Sequence, residues 1–194
     1  MNFKFDDAVT GGNRTYLEPG LHTVRTKEII SGQTDKGSPY IEWVIEDKAG
    51  LSCSQRYYLN TVTNAGKQFS AWDITKNVVL SMVKGILGLD DAGAKAVMPR
   101  FTTPEELNAK LAPELSKLVV GKYFDIRLNG QEIEGRDGKK NWTKANFGTG
   151  FFVAPAGSNK LTFDQTKHVK MLPKSETSAS NMEGISKSNV EPNW

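Results

Sequence analysis

Residues 20–59 contain three β-like runs: Gly20-Leu-His-Thr-Val-Arg-Thr-Lys-Glu-Ile-Ile-Ser-Gly32, Lys36-Gly-Ser-Pro-Tyr-Ile-Glu-Trp-Val-Ile-Glu-Asp47 and Leu51-Ser-Cys-Ser-Gln-Arg-Tyr-Tyr-Leu59. Glycine-containing turns at 32–37 and 47–50 separate them, with Asp35-Lys36-Gly37-Ser38-Pro39 supplying the turn chemistry of the first. Strand side chains alternate with period two, so Ile41, Trp43 and Ile45 share one face of the second run and Tyr40, Glu42, Val44 and Glu46 the other. The apolar face is the predicted core. Such a pattern leaves a β-meander as the expected start of the fold.

Between residues 68 and 87 the period changes. Trp72, Val79, Met82, Val83 and Ile86 recur at helical spacing, and Gly85 and Gly88 mark the expected end. Thr103-Pro-Glu-Glu106 announces a second helix with a capping threonine, a proline in the first turn and a glutamate three residues on. Leu107, Leu111, Leu115 and Leu118 supply its stripe, and Pro113 inside it predicts a kink or two short helices. Strand pattern returns at 122–129, with Phe124, Ile126 and Leu128 opposite Tyr123, Asp125 and Arg127. A hairpin turn is expected over 136–140, where Asp137-Gly138 suits positive φ. The returning strand, 141–147, places Trp142, Lys144 and Asn146 on one face. Gly148-Thr-Gly150 reads as a bend or bulge, and residues 160–172 as a last strand carrying Phe163 and Val169. Beyond Pro173 the Ser/Asn/Lys/Glu composition predicts a flexible C-terminal tail over 173–194, leaving 1–172 as one domain.

Several function classes find no support. Lys and Arg number 25 against 22 acids, a formal net charge of +3, which excludes a polycation but permits a local basic surface. Cys53 is alone, and no Cys/His cluster has metal-ligand spacing. The first residues lack an apolar signal run, and no stretch approaches the roughly 20 apolar residues of a membrane span. A cytoplasmic protein, in the host cytoplasm if viral, with no membrane partner, is expected. Gly148-Thr-Gly150 lacks the third glycine of a dinucleotide fingerprint, and Gly66-Lys67 lacks a preceding phosphate loop. His22 and His168 stand apart without a motif; Asp90-Asp91 and Glu105-Glu106 suit helix starts or turns, and Glu46-Asp47 a turn. The expectation is a protein that is not an enzyme, with no catalytic residue, no metal and no cofactor.

What the strands do carry is cations beside aromatics. Arg25 and Lys27 share a face of the first run, Arg56 shares one with Tyr58, Tyr123 with Arg127, and Trp142 with Lys144, while Lys139 and Lys140 sit at the hairpin tip. Single-stranded nucleic acid needs a charge for each phosphate and a flat ring for each base, so these ten residues form the candidate nucleic-acid-binding set. Trp43, Trp72, Phe124 and Phe147 are assigned to the core instead. Three strands, a helical segment, a hairpin and a further strand match the oligonucleotide-binding (OB) fold: a mainly β (α+β), five-stranded barrel, here with an α-helical insertion.

Glu18-Pro-Gly20, Lys36-Gly-Ser-Pro-Tyr-Ile-Glu42, Tyr57-Tyr-Leu59 and Val120-Gly-Lys-Tyr-Phe-Asp-Ile-Arg127 give residues 18–153 a resemblance to the single-stranded DNA-binding proteins of bacteriophages. The resemblance implies an OB fold that coats single-stranded DNA during replication, recombination or repair, with little sequence specificity. It also implies an acidic C-terminal tail that recruits replication or recombination proteins. Val190-Glu-Pro-Asn-Trp194 keeps the terminal aromatic but has only one nearby acid, a departure from that pattern. The rival expectation, from the near-neutral charge and the aromatic C-terminus, is a virion or assembly structural β-domain.

Overall fold

The computed structural model describes residues 16–63, 69–134 and 142–172, with Trp142 described by its backbone alone. The hairpin turn expected over 136–140, including Lys139 and Lys140, and the expected tail from 173 lie outside the described residues, as does the Trp142 side chain.

The chain runs β1 (Gly20–Gln33), β2 (Pro39–Glu46), β3 (Ser52–Tyr58), α1 (Ala71–Leu87), α2 (Asp91–Val97), α3 (Pro104–Val119), β4 (Tyr123–Ile133), β5 (Trp142–Phe147), β6 (Val153–Pro155), α4 (Gln165–His168) and β7 (Val169–Lys170). The protein is mainly β. Its seven strands form one sheet in the order β3-β2-β1-β4-β5, with β6 and β7 also on β4, and every pairing is antiparallel except that of β7.

β1 organises this sheet because it serves two neighbours. Its first half pairs with β4 through Gly20↔Leu128 to Arg25↔Tyr123, and from Arg25 onward it pairs with β2. The changeover coincides with a register shift between Thr26 and Glu28. A bulge there bends and twists the strand, which lets one strand join two differently inclined parts of a sheet. Thr26 is fully buried at this point: its hydroxyl accepts the Trp43 indole N–H at 3.1 Å and its carbonyl accepts Gly121 N–H at 2.9 Å.

The predicted core face holds. Ile41, Trp43 and Ile45 are completely buried, with Val24, Phe124, Ile126 and Leu128 beside them and Phe147 nearly so; Trp72 packs against this core partly buried. α1 adds Val79, Met82, Val83 and Ile86, and α3 adds Leu107, Leu111, Leu115 and Val119. Ser70 and Asp73 cap α1 reciprocally, and Gly88 closes it in the left-handed conformation at φ 66°. Gly85 lies inside α1, not at its end. A Cβ there would stand 2.6 Å from the Val153 carbonyl oxygen, so glycine permits the helix to lie directly on β6.

Three further expectations are corrected. Of the two outcomes expected at Pro113, that of two short helices is overturned: α3 is one continuous helix, with the proline on its exposed side. The last strand shrinks to the two residues of β7, preceded by the single turn α4, where Phe163 stacks on His168 at 5.5 Å. The five-stranded barrel is not a closed one: among the described residues no ladder joins β3 to β5. Their side chains nonetheless meet, with the Tyr57 and Phe147 rings 6.3 Å apart and Cys53 Sγ 3.8 Å from the Ala145 carbonyl oxygen. The Gly148-Thr-Gly150 bend is an outward excursion between β5 and β6. Gly148 N–H donates to the Arg127 carbonyl before it, and Arg127 N–H donates to the Phe152 carbonyl after it.

Candidate nucleic-acid interface

The registers of β1, β2 and β3 place their solvent-facing side chains in rows. Gly32, Tyr40 and Tyr58 form the first row, Ile30, Glu42 and Arg56 the second, Glu28, Val44 and Ser54 the third, and Arg25, Glu46 and Ser52 the fourth. Tyr123 of β4 extends the fourth row from the far side of Arg25. The bulge at Lys27 adds a cation between the last two rows and turns it toward Glu46.

The first two rows make an aromatic platform. Gly32 has no side chain, and the Tyr40 ring fills its place: a Cβ at Gly32 would lie 2.6 Å from both Cζ and the hydroxyl oxygen of Tyr40. Arg56 sits over that ring at 4.7 Å from its centroid, and the Tyr58 ring meets it edge-on at 6.3 Å. Tyr58 remains 43% exposed. The chain therefore spends a glycine inside a strand, where glycine is costly, to lay a tyrosine along the sheet.

The fourth row ends on a second exposed ring. Tyr123 is 41% exposed, and Lys48 from the β2–β3 turn stands 5.9 Å from its centroid. That turn is fixed by Asp47, whose carboxylate accepts N–H from Ala49 and Leu51.

Between the two aromatic ends the cations are held by carboxylates. Arg56 Nε donates to Glu42 at 2.9 Å, and Ser54 Oγ donates to the other Glu42 oxygen at 2.6 Å. Arg25 Nε donates to Glu46 at 2.9 Å, and Lys27 Nζ lies 3.2 Å from the second oxygen of the same carboxylate. The Ser54 hydroxyl, then Arg56, holds Glu42 below the usual carboxylate range, and Arg25 with Lys27 does so for Glu46. The same contacts raise Arg25 and Arg56 further above an ordinary guanidinium.

Arg25, Lys27, Arg56, Tyr58 and Tyr123 are thus brought onto one continuous face. Arg127 shares the outer side of β4 but is committed elsewhere: Nη2 donates to the Thr149 carbonyl at 2.9 Å, and its buried Nε has no partner among the described residues. It braces the glycine-rich excursion. Lys144 projects at the seam between β3 and β5, lining a cavity of about 510 Å³ with Tyr16, Leu17, Cys53 and Ser54. Burial pushes the Cys53 thiol up to about 11, so it stays protonated there. Sequence reasoning missed Tyr40, Gly32 and Lys48.

The histidines serve local structure. His22 Nε2 lies 2.7 Å from the Glu18 carbonyl oxygen, and His168 Nδ1 accepts Asp164 N–H at 2.8 Å. No group of three or more His, Cys, Asp or Glu among the described residues is placed to hold a metal ion, and no described helix is long and apolar enough to cross a membrane. The chain matches no protein-family profile and no curated protein.

Proposed function

We propose that the protein is a non-catalytic single-stranded DNA-binding protein, and that the strand lies across the outer face of β1, β2 and β3. The observation that carries this reading is the Gly32-Tyr40-Arg56-Tyr58 platform, a partly exposed cluster of two edge-on rings and a guanidinium continuous with Arg25, Lys27, Lys48 and Tyr123. A nucleobase stacked on such a ring contributes about 1–3 kcal/mol whatever its identity, and the cations supply sequence-independent phosphate contacts. From Tyr40 to Glu46 the face runs along seven residues, about 20 Å at roughly 3.3 Å per residue. At the ~3.4 Å rise of stacked nucleotides that accommodates about six, within the range of single-strand-binding modules.

The strand order supports an OB-type barrel as the scaffold. A meander in which β1 also pairs with β4, helices between β3 and β4, and a β4–β5 hairpin returning beside β3 are the connections of that fold, left open here at the β3–β5 seam. In such folds the face of the second and third strands binds oligonucleotides, and that is where the platform sits. A role in DNA replication, recombination or repair follows from strand coating, with replication or recombination proteins as partners of the C-terminal tail. A cytoplasmic setting, in the host cell if the chain is viral, belongs to the same proposal.

Titration of intrinsic tryptophan fluorescence with oligo-dT and with a duplex of equal length, each at low and high salt, tests this reading. Tight, salt-sensitive binding selective for the single strand is expected; absence of single-strand binding at low salt refutes it. The β3–β5 seam, where two strand edges approach without a ladder, favours the rival assembly domain. That reading predicts concentration-dependent growth in native mass without nucleic acid.

A further inference from the structure

Resting on the single-strand-binding reading, we propose that Glu42 and Glu46 are built-in competitors of the phosphates: they hold Arg25, Lys27 and Arg56 in the unbound protein and so set the affinity and salt response of the face. The cations lie half exposed, with side chains 46–52% accessible, whereas the Glu46 and Glu42 side chains are 11% and 23% accessible. The carboxylates therefore sit low on the sheet, beneath the cations they pair with. Each is also held from a second direction, Glu42 by Ser54 and Glu46 by both Arg25 and Lys27.

With Glu28 exposed in the third row, three carboxylates stand against Arg25, Lys27 and Arg56, and the four rows of β1–β3 carry no net charge. A strand phosphate arriving over Arg56 or Arg25 meets a guanidinium whose charge is already matched, and it gains only by sharing or displacing the carboxylate. The aromatic ends then carry a larger share of the binding than the number of cations suggests. Counterion release scales with the phosphates actually neutralised, so the same competition flattens the salt dependence. Ring stacking on Tyr58 and Tyr123 escapes this competition, because the bases meet exposed rings and not ion pairs, whereas Tyr40 lies under the paired Arg56.

The test uses the full chain and its Glu42→Gln and Glu46→Gln variants, each of which keeps side-chain shape and removes one charge. Glu105→Gln, at the exposed start of α3, makes the same change in net charge away from the face. Each protein is titrated with oligo-dT over a salt series, with thermal unfolding as the control for fold. Glu42→Gln and Glu46→Gln are each expected to bind about two- to fivefold more tightly at low salt, the scale on which exposed ion pairs act. The slope of log affinity against log salt should steepen by roughly 0.7 for each cation released to a phosphate. Glu105→Gln should leave both quantities unchanged.

Unchanged or weaker binding by both face variants, or an equal gain in Glu105→Gln, overturns the proposal while leaving the single-strand reading intact. Loss of the folded state in both Gln variants also overturns it, since the carboxylates would then be structural pins. Failure of the unaltered chain to bind oligo-dT at all removes the single-strand reading, and this inference with it.

Discussion

Replacing Gly32 by alanine separates the platform from the fold beneath it. The added Cβ would stand 2.6 Å from Tyr40 Cζ and hydroxyl oxygen, closer than van der Waals contact allows, so one of the two must move. The obstacle is the far end of a side chain that is partly exposed, and the ring can lift. Gly32 does not carry a positive φ, so alanine meets no backbone strain, and removing an interior glycine recovers about 0.5–1 kcal/mol of chain entropy. Lifting the ring costs the Arg56 contact, worth about 0.5–1 kcal/mol at an exposed site. The two effects nearly cancel, and thermal or urea unfolding should show a stability change within about 1 kcal/mol. Strand binding should respond far more. Displacing the ring removes a stacking position worth about 1–3 kcal/mol, roughly a 5- to 150-fold loss of oligo-dT affinity, and Tyr40→Leu should lose a similar amount. Fluorescence titration alongside unfolding measures both. Undiminished affinity in a folded Gly32→Ala protein would refute the assignment of Tyr40 as a base platform, and a collapse of stability would refute the claim that the ring can move.

Other expected outcomes concern the scaffold. Thr26→Val, nearly isosteric, leaves the buried Trp43 indole N–H without its acceptor, and urea unfolding should show a loss of about 1–3 kcal/mol. Gly85→Ala forces a methyl against the Val153 backbone, which cannot swing away as a side chain can, so the midpoint of thermal unfolding should fall markedly more than for Gly32→Ala. Lys76, with Ser70, holds Asp73 at about 2, and Lys110, with Thr102, does the same for Glu106, below ordinary values of 3.8 and 4.5. Because both are depressed in the folded chain, their contribution is fully present above the ordinary values and is lost as pH falls toward 2. Unfolding midpoints measured from pH 6 to pH 2 should decline over that window, and Glu106→Gln should flatten the decline. Cys53, with its thiol pushed up to about 11, should resist a thiol reagent at pH 8 until the protein is unfolded.

The parts of the fold legible in the sequence are those whose signal is local. Ile41, Trp43 and Ile45 alternate over five residues, and Thr103-Pro104 starts a helix within one turn, so each could be read without knowing its neighbours. A glycine near a helix end resembles a stop signal, so the sequence hides the true constraint on Gly85, which is Val153, 68 positions later in the chain. At Pro113 the sequence leaves a kink and a break equally open, because the cost of a proline in a helix depends on whether the orphaned carbonyl can reach water, which is a property of the packed face. The openness of the β3–β5 seam is likewise a matter of tertiary distance and leaves no mark in either strand.

The candidate site divides along the same line. Period two put Arg56 and Tyr58 on one face, and the hairpin between β1 and β2 fixes the register that sets Tyr40 opposite Gly32 and, through β3, opposite Tyr58. Tyr40 and Gly32 are eight residues apart, and each is unremarkable alone: one belongs to a turn-proximal Pro-Tyr, the other is a glycine within β1 close to the turn. Only their pairing reveals that the glycine is a seat for the ring. The carboxylates carry a further lesson. A list of exposed cations overstates the positive charge available to a phosphate, because the residues opposite them in the ladder are Glu42 and Glu46. Arg25 and Arg56 would be ranked alike by position and exposure, yet Glu46 divides itself between two cations while Glu42 serves one cation and a serine. Neutralising Glu46 should therefore release more of the face than neutralising Glu42, and the steeper of the two salt slopes should belong to Glu46→Gln.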